Sequence, residues 1–149
     1  MRRHLAYGWY VLRHKWFVFL AAYRLGVPWL GLIHDWSKLT PGEWFPYAQT
    51  FYTPQGIHQY VESEAFQRAW NHHQKANKHH WQYWIPHNKE PLMIPEKYVK
   101  EMLCDWTTMG NVKNWYEENK EHITLHPLTK FRVKLLLDNL SEEFEKDIK

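Results

Sequence analysis

The chain has 149 residues, 44% hydrophobic and 23% charged, with a formal net charge of +3. That is enough for one domain with a buried core, and the mild basic bias suits an anionic ligand without implying a nucleic-acid partner. The single cysteine, Cys104, excludes an internal disulfide framework and a cysteine-based zinc site, and fits a cytoplasmic protein.

A first helix is predicted over about residues 3–24, stopping at Gly26, a good C-terminal cap. Inside it, WFVFLAAY at 16–23 is too short to span a bilayer and has no small-residue cleavage site after it, so it reads as a buried helix rather than a membrane segment. Pro28 suits the first turn of a short second helix that delivers His34 and Asp35 near its end. Thr40-Pro41-Gly42-Glu43 reads as a capping box opening a third helix, and Tyr52–Gly56 as a loop. The longest helix is predicted from about Val61 to Trp84, with Ser63 as its cap. Residues 85–95 hold three prolines and form a loop. Pro95-Glu96 opens a helix ending at Gly110, a polar segment follows, and His126-Pro127 leads into a last helix broken near Ser141. No repeat, linker or strand alternation interrupts this pattern, so residues 1–149 read as one all-α, single-domain helical bundle.

The chain is rich in rings, with 10 Trp, 9 Tyr and 11 His, as a core around a polar pocket or a binding surface would be. Four His fall in WNHHQKANKHHWQYW (70–84). On one continuous helix Phe66, Ala69, His73, Ala76 and His80 share a stripe with Asn77 beside it, while His72 and His79 flank it. His73 and His80 would then lie roughly 10 Å apart along the axis, too far to share one ion without stretching. One would ligate a metal, and the other a second ion or the substrate; the alternative is imidazoles that cap carbonyls or face solvent. Asp105 shares a face with Tyr98, Met102 and Met109, where a carboxylate is costly to bury without a cation, unless it pairs with Arg or Lys at the helix boundary. His14 shares a stripe with Tyr7, Val11 and Val18 and faces inward, a better candidate ligand than His4 in the first turn.

In the order His14, His34-Asp35, a His cluster at 72–80 and Asp105, the chain resembles the HD-domain superfamily of metal-dependent phosphohydrolases. HDWSK is also similar to the HD-x-x-K form of that superfamily's cyclic-dinucleotide phosphodiesterase branch. YVLRHKWFVF, HDWSK and NKHHWQYW together look like a family of small bacterial and phage proteins. The resemblance implies an HD-like helical domain in which His14, His34, Asp35 and Asp105 bind a divalent ion, with His73, His79 and His80 as candidate further ligands of a site holding one ion or two. Mn, Fe, Zn, Ni and Co all suit mixed imidazole and carboxylate ligands. It further implies hydrolysis of a small phosphorylated substrate, a nucleotide or another phosphate ester. Lys38 would contact the phosphate, and His73 or His80 would complete the second site or donate a proton to the leaving oxygen. Glu43 is a candidate base as well as a cap, and Trp36, Trp44 or Trp81 could stack on a nucleobase. Two rival readings are a di-iron oxygenase of the HD type and a non-catalytic module that binds a nucleotide or metal.

Overall fold

In the computed structural model, which describes residues 1–87, 89–141 and 144, the chain is all-helical, with no strand among the described residues. Helix α1 (Arg2–Arg24) buries Tyr7, Val11, His14, Val18 and Ala21, whose 4-3-4-3 spacing keeps them on one face. Its last turn closes when the Leu25 N–H donates to the Ala21 carbonyl, and Gly26 turns the chain at φ 74°. Of the WFVFLAAY stretch, Val18, Ala21 and Ala22 are buried while Trp16 and Tyr23 stay exposed. No helix among the described residues is long and apolar enough to cross a membrane.

Helix α2 (Pro28–Ile33) starts on its proline as the sequence predicts and folds back on α1. Gly31 makes that approach possible: a Cβ there would lie 2.7 Å from the Ala22 Cβ and 2.8 Å from the Phe19 Cα. A 3₁₀ turn (Trp36–Leu39) leads into α3 (Pro41–Phe51). The expected capping box does not close. Thr40 Oγ1 donates instead to the Ser37 carbonyl at 2.7 Å, and Glu43 turns inward, fully buried.

The helix predicted over Val61–Trp84 is much shorter: α4 runs Glu64–Ala76 and a separate 3₁₀ turn follows at Trp81–Trp84. Ser63 does cap it, its Oγ accepting from the Phe66 N–H at 3.1 Å. Helix α5 (Glu96–Trp106) and a 3₁₀ turn (Thr107–Met109) reach Gly110 as expected. The segment read only as polar contains α6 (Val112–Asn119), capped by Asn111 Oδ1 on the Asn114 N–H at 3.0 Å. Helix α7 (Pro127–Asn139) stops two residues before the break expected at Ser141, and most of the chain beyond lies outside the described residues.

Three apolar clusters hold these helices together. Tyr7, Val11, Tyr47 and Phe66 join α1, α3 and α4. Val18, Ala21, Ala22 and Cys104 join the end of α1 to α5. Val99, Leu103, Trp106, Tyr116, Val133 and Leu137 join α5, α6 and α7. Trp44 and Trp81 pack against the first and last of these and are half-buried, so of the three tryptophans considered for stacking only Trp36 is exposed. On α1, His14 lies between Val11 of one cluster and Val18 of the next, at the seam where the clusters give way to polar side chains.

The α1–α2 approach tolerates no added bulk. Gly31→Ala forces a backbone shift and should destabilise by about 1–3 kcal/mol. Gly42→Ala, where nothing lies within 4 Å of the new Cβ, should not. Thermal unfolding followed by circular dichroism compares the two.

Candidate metal centre

Five segments deliver side chains to the seam. His14 comes from the middle of α1, and His34 and Asp35 follow the end of α2. His73 sits in the last turn of α4, His79 and His80 in the turn after it, and Asp105 in the last turn of α5. Asp35 is the only non-glycine residue with positive φ among the described residues, at φ 54° and ψ 30°. That left-handed conformation costs about 1–2 kcal/mol, and Asp is one of the few side chains that visit it readily. It turns the chain abruptly between α2 and the 3₁₀ turn, so that two consecutive residues, His34 and Asp35, both face inward.

Asn77 performs the other decisive turn. Its backbone is extended, at φ −113° and ψ 119°, and its Nδ2 donates to the His73 carbonyl at 2.9 Å and to Ser37 Oγ at 2.7 Å. Asn competes with the helix for backbone partners in this way, which is why it favours helix ends. The chain then doubles back, the His80 N–H donating to the Asn77 carbonyl at 3.2 Å. The axial separation expected for a continuous helix is removed: the rings of His73 and His80 lie 4.7 Å apart, and His79 and His80 4.3 Å.

The resulting cluster is organised around Asp35, which is 1% exposed. Its Oδ2 lies 3.3 Å from His14 Nε2 and 3.5 Å from His34 Nε2. Its Oδ1 lies 3.2 Å from His73 Nε2 and 3.3 Å from His79 Nε2. Asp105 Oδ1 closes the first group, 3.3 Å from His14 Nε2 and 3.5 Å from His34 Nε2. Three overlapping sets of ligand atoms each fall within 4.8 Å of one another: His14, His34 and Asp35; His34, His79 and Asp105; and Asp35, His73, His79 and His80. Such a buried His/Asp cluster could hold a metal ion.

A second layer of carboxylates fixes the imidazoles. His34 Nδ1 and His79 Nδ1 both donate to Glu101 Oε1, at 3.1 and 3.2 Å. His73 Nδ1 donates to Glu43 Oε2 at 2.9 Å, an oxygen that also accepts from Ser37 Oγ at 2.9 Å. An ionised carboxylate only accepts, so each of these Nδ1 atoms carries a proton and each ring presents its Nε2 to the cluster. Asp35 Oδ1, His79 Nε2 and His80 Nε2 are all buried without a hydrogen-bond partner. These atoms crowd around one point, where a bound cation would give them a partner.

The electrostatics agree. Burial favours the neutral acids, but neighbouring His34 and Lys38 hold the Asp35 carboxyl well below the usual range, and bonds from His14 and His34 do the same for Asp105. Burial pulls the His79 imidazole down, yet Asp35 and Glu101 outweigh it and push it up to about 10. The site draws in positive charge. His80 goes the other way, lowered by burial and by its neighbours His79 and His73, and so keeps a free lone pair. Lys38 is 8% exposed, with Nζ 2.5 Å from Asp35 Oδ2.

Every residue considered as a metal ligand, namely His14, His34, Asp35, His73, His79, His80 and Asp105, enters the cluster. His72 and His4 stay outside it: the His72 side chain is 61% exposed and bonds Glu43 Oε1, and His4 Nδ1 accepts from Trp44 Nε1. The sequence reading assigned no role to Glu101, although it stands one helical turn before Asp105 on the same face of α5. Glu43 does not close the cap; buried, its carboxylate accepts from His73 and from His72. Ser37 and Asn77 complete that support.

Elemental analysis should find at least one divalent transition-metal ion per chain after purification without chelator. Asp35→Ala should lose it together with thermal stability, because the ion offsets the desolvation of its ligands. Glu101→Gln should keep the fold and weaken metal affinity by about 10- to 100-fold, read by chelator competition, since it disturbs two imidazoles at once.

Comparison with known proteins adds a family. No curated protein and no solved structure matches the chain. A family model described as a family of unknown function, DUF5662, matches residues 3–146, which takes in every cluster residue. The chain belongs to the DUF5662 family.

Proposed function

We propose that this protein is a metal-dependent phosphohydrolase acting on a nucleotide or another phosphate ester. The observation that carries the reading is the division of Asp35: one oxygen faces His14 and His34, and the other faces His73 and His79. That arrangement suits a carboxylate shared by two adjacent ions. His14, His34, Asp35 and Asp105 would hold one, and Asp35, His73, His79 and His80 the other. A bound divalent ion supplies two things to phosphoryl chemistry, an acidified water and a counter-charge for the phosphoryl oxygens.

The chain's own residues supply the rest. Lys38 cannot be a ligand while protonated. Its ammonium, beside Asp35 and at the edge of a cavity, can orient a phosphoryl oxygen through a charge-assisted hydrogen bond. Glu101 and Glu43 hold three imidazoles with Nε2 inward, so little reorganisation remains when the substrate arrives. His73 is tied at Nδ1, and burial together with its neighbours His79 and His73 lowers the His80 imidazole, so ligand roles suit both better than donation of a proton to the leaving oxygen. The order of ligands that resembles the HD superfamily supports the same reading.

The test is phosphate release by metal-loaded protein across nucleotides, cyclic dinucleotides and simple phosphate esters. Lys38→Ala should retain metal and fold while turnover falls roughly 10- to 1000-fold. Oxygen consumption by an iron-loaded sample, with no phosphate released from any ester, would overturn the proposal in favour of the oxygenase.

A further inference from the structure

A cavity of about 500 Å³ opens beside Lys38, between α1, α3 and α4. It is within the usual size of small-molecule sites. Its walls are aromatic: Tyr47 and Phe66 are buried, and Phe51, Tyr52 and Trp70 half-buried. These rings brace one another edge to face, Tyr47 on Phe66 at 5.2 Å and Phe51 on Phe66 at 5.4 Å. They also continue into the cluster, with Trp70 stacked on His73 at 5.7 Å and Tyr47 set against His73 at 5.9 Å.

The outer wall is fixed. The loop after α3 is pinned to the helix by the Gln59 N–H on the Phe51 carbonyl at 2.9 Å and the Val61 N–H on the Thr50 carbonyl at 3.0 Å. Gly56, at φ 87°, lets the same loop pass α1, where a Cβ would meet the Arg2 carbonyl oxygen at 3.1 Å. That loop presents Tyr60, 59% exposed, at the cavity mouth.

Charge in the cavity is one-sided. Among the described residues Lys38 is its one Lys, Arg, Asp or Glu lining residue, and no carboxylate lines it. A cationic guest is therefore disfavoured, while an anionic one can share the Lys38 ammonium with Asp35. The Tyr47 hydroxyl is buried with no partner, a second polar group for a guest to satisfy. Beside the tyrosine hydroxyls, the groups able to read a polar ring edge, Gln67 and His58, are exposed on the rim, and the Gln67 amide is already bonded to Glu62.

We infer that this cavity is the specificity pocket of the site, taking a phosphate ester whose organic part is a flat, apolar aromatic group, with the phosphate at Lys38 and the ring among the aromatic walls. The inference rests on the phosphohydrolase reading for its chemistry, but not for its binding. The experiment is equilibrium binding by calorimetry to the full chain, with metal and after chelation, using 1-naphthyl phosphate, adenosine monophosphate and glycerol 2-phosphate. The naphthyl ester should bind most tightly, by at least about tenfold over the ringless one, and Tyr60→Ala should weaken it roughly 5- to 100-fold, as loss of one stacking ring does. Circular dichroism of Tyr60→Ala confirms the fold, and the ligand comparison on the unaltered protein needs no variant. Equal affinity for glycerol 2-phosphate, tighter binding of adenosine monophosphate, or indifference to Tyr60→Ala each overturns the inference. Ring-selective, Tyr60-dependent binding without turnover on any metal upholds the pocket and sinks the hydrolase. Turnover of glycerol 2-phosphate as fast as the naphthyl ester, with equal affinity, does the reverse.

Discussion

A carboxylate with 1% exposure has surrendered its hydration, and the architecture of this protein can be understood as what replaces it. Asp35 is ringed by four Nε2 atoms within 3.5 Å and by the Lys38 ammonium. The imidazoles are in turn held by two further buried carboxylates, Glu43 and Glu101. Four acidic groups, counting Asp105, thus share a small volume. Such a concentration of carboxylates favours positive charge inside the cluster, as the raised His79 imidazole and the Lys38 ammonium on Asp35 both reflect.

The helices are arranged to sustain that concentration of charge. Most of the cluster's side chains come from helix ends and turns, where the backbone can change direction and consecutive side chains can be aimed at one point. His14 is the exception, and it works because α1 is the long element against which α2, α3 and α5 all pack. The Gly31 contact draws α2 close enough for His34 Nε2 to come within 3.3 Å of His14 Nε2. Apolar clusters on either side of His14 then exclude water from the seam, which strengthens every electrostatic interaction inside it.

Lys38 connects this polar centre to its surroundings. Its ammonium neutralises part of Asp35, while its stem runs to the aromatic cavity, with Nζ 5.9 Å from the Tyr47 ring centre. Aromatic walls on one side and imidazoles on the other meet at Trp70, Tyr47 and His73. The pocket and the buried His/Asp cluster therefore share walls, so a guest in one is held next to the other.

The sequence alone determined the all-α class, most of the helix starts and the ligand types. Pro28, Pro41, Ser63 and Pro127 mark helix starts through local backbone chemistry, and such chemistry depends on no distant partner. His34-Asp35 after an apolar run, and Asp105 among Tyr98, Met102 and Met109, likewise announced charges too costly to bury unpaired. What only the tertiary structure decided was convergence. Helical periodicity carried the α4 pattern through Asn77, because 3-4 spacing registers apolar and His positions but not the Ser37 hydroxyl that rewards a break there. The left-handed turn at Asp35 and the inward swing of Glu43 were hidden for the same reason. Each is a local choice set by partners far away in the chain, and spacing records only neighbours. Glu101 shows the limit most clearly: its place one turn before Asp105 was visible, but its two imidazole partners, from residues 34 and 79, exist only once the chain has folded.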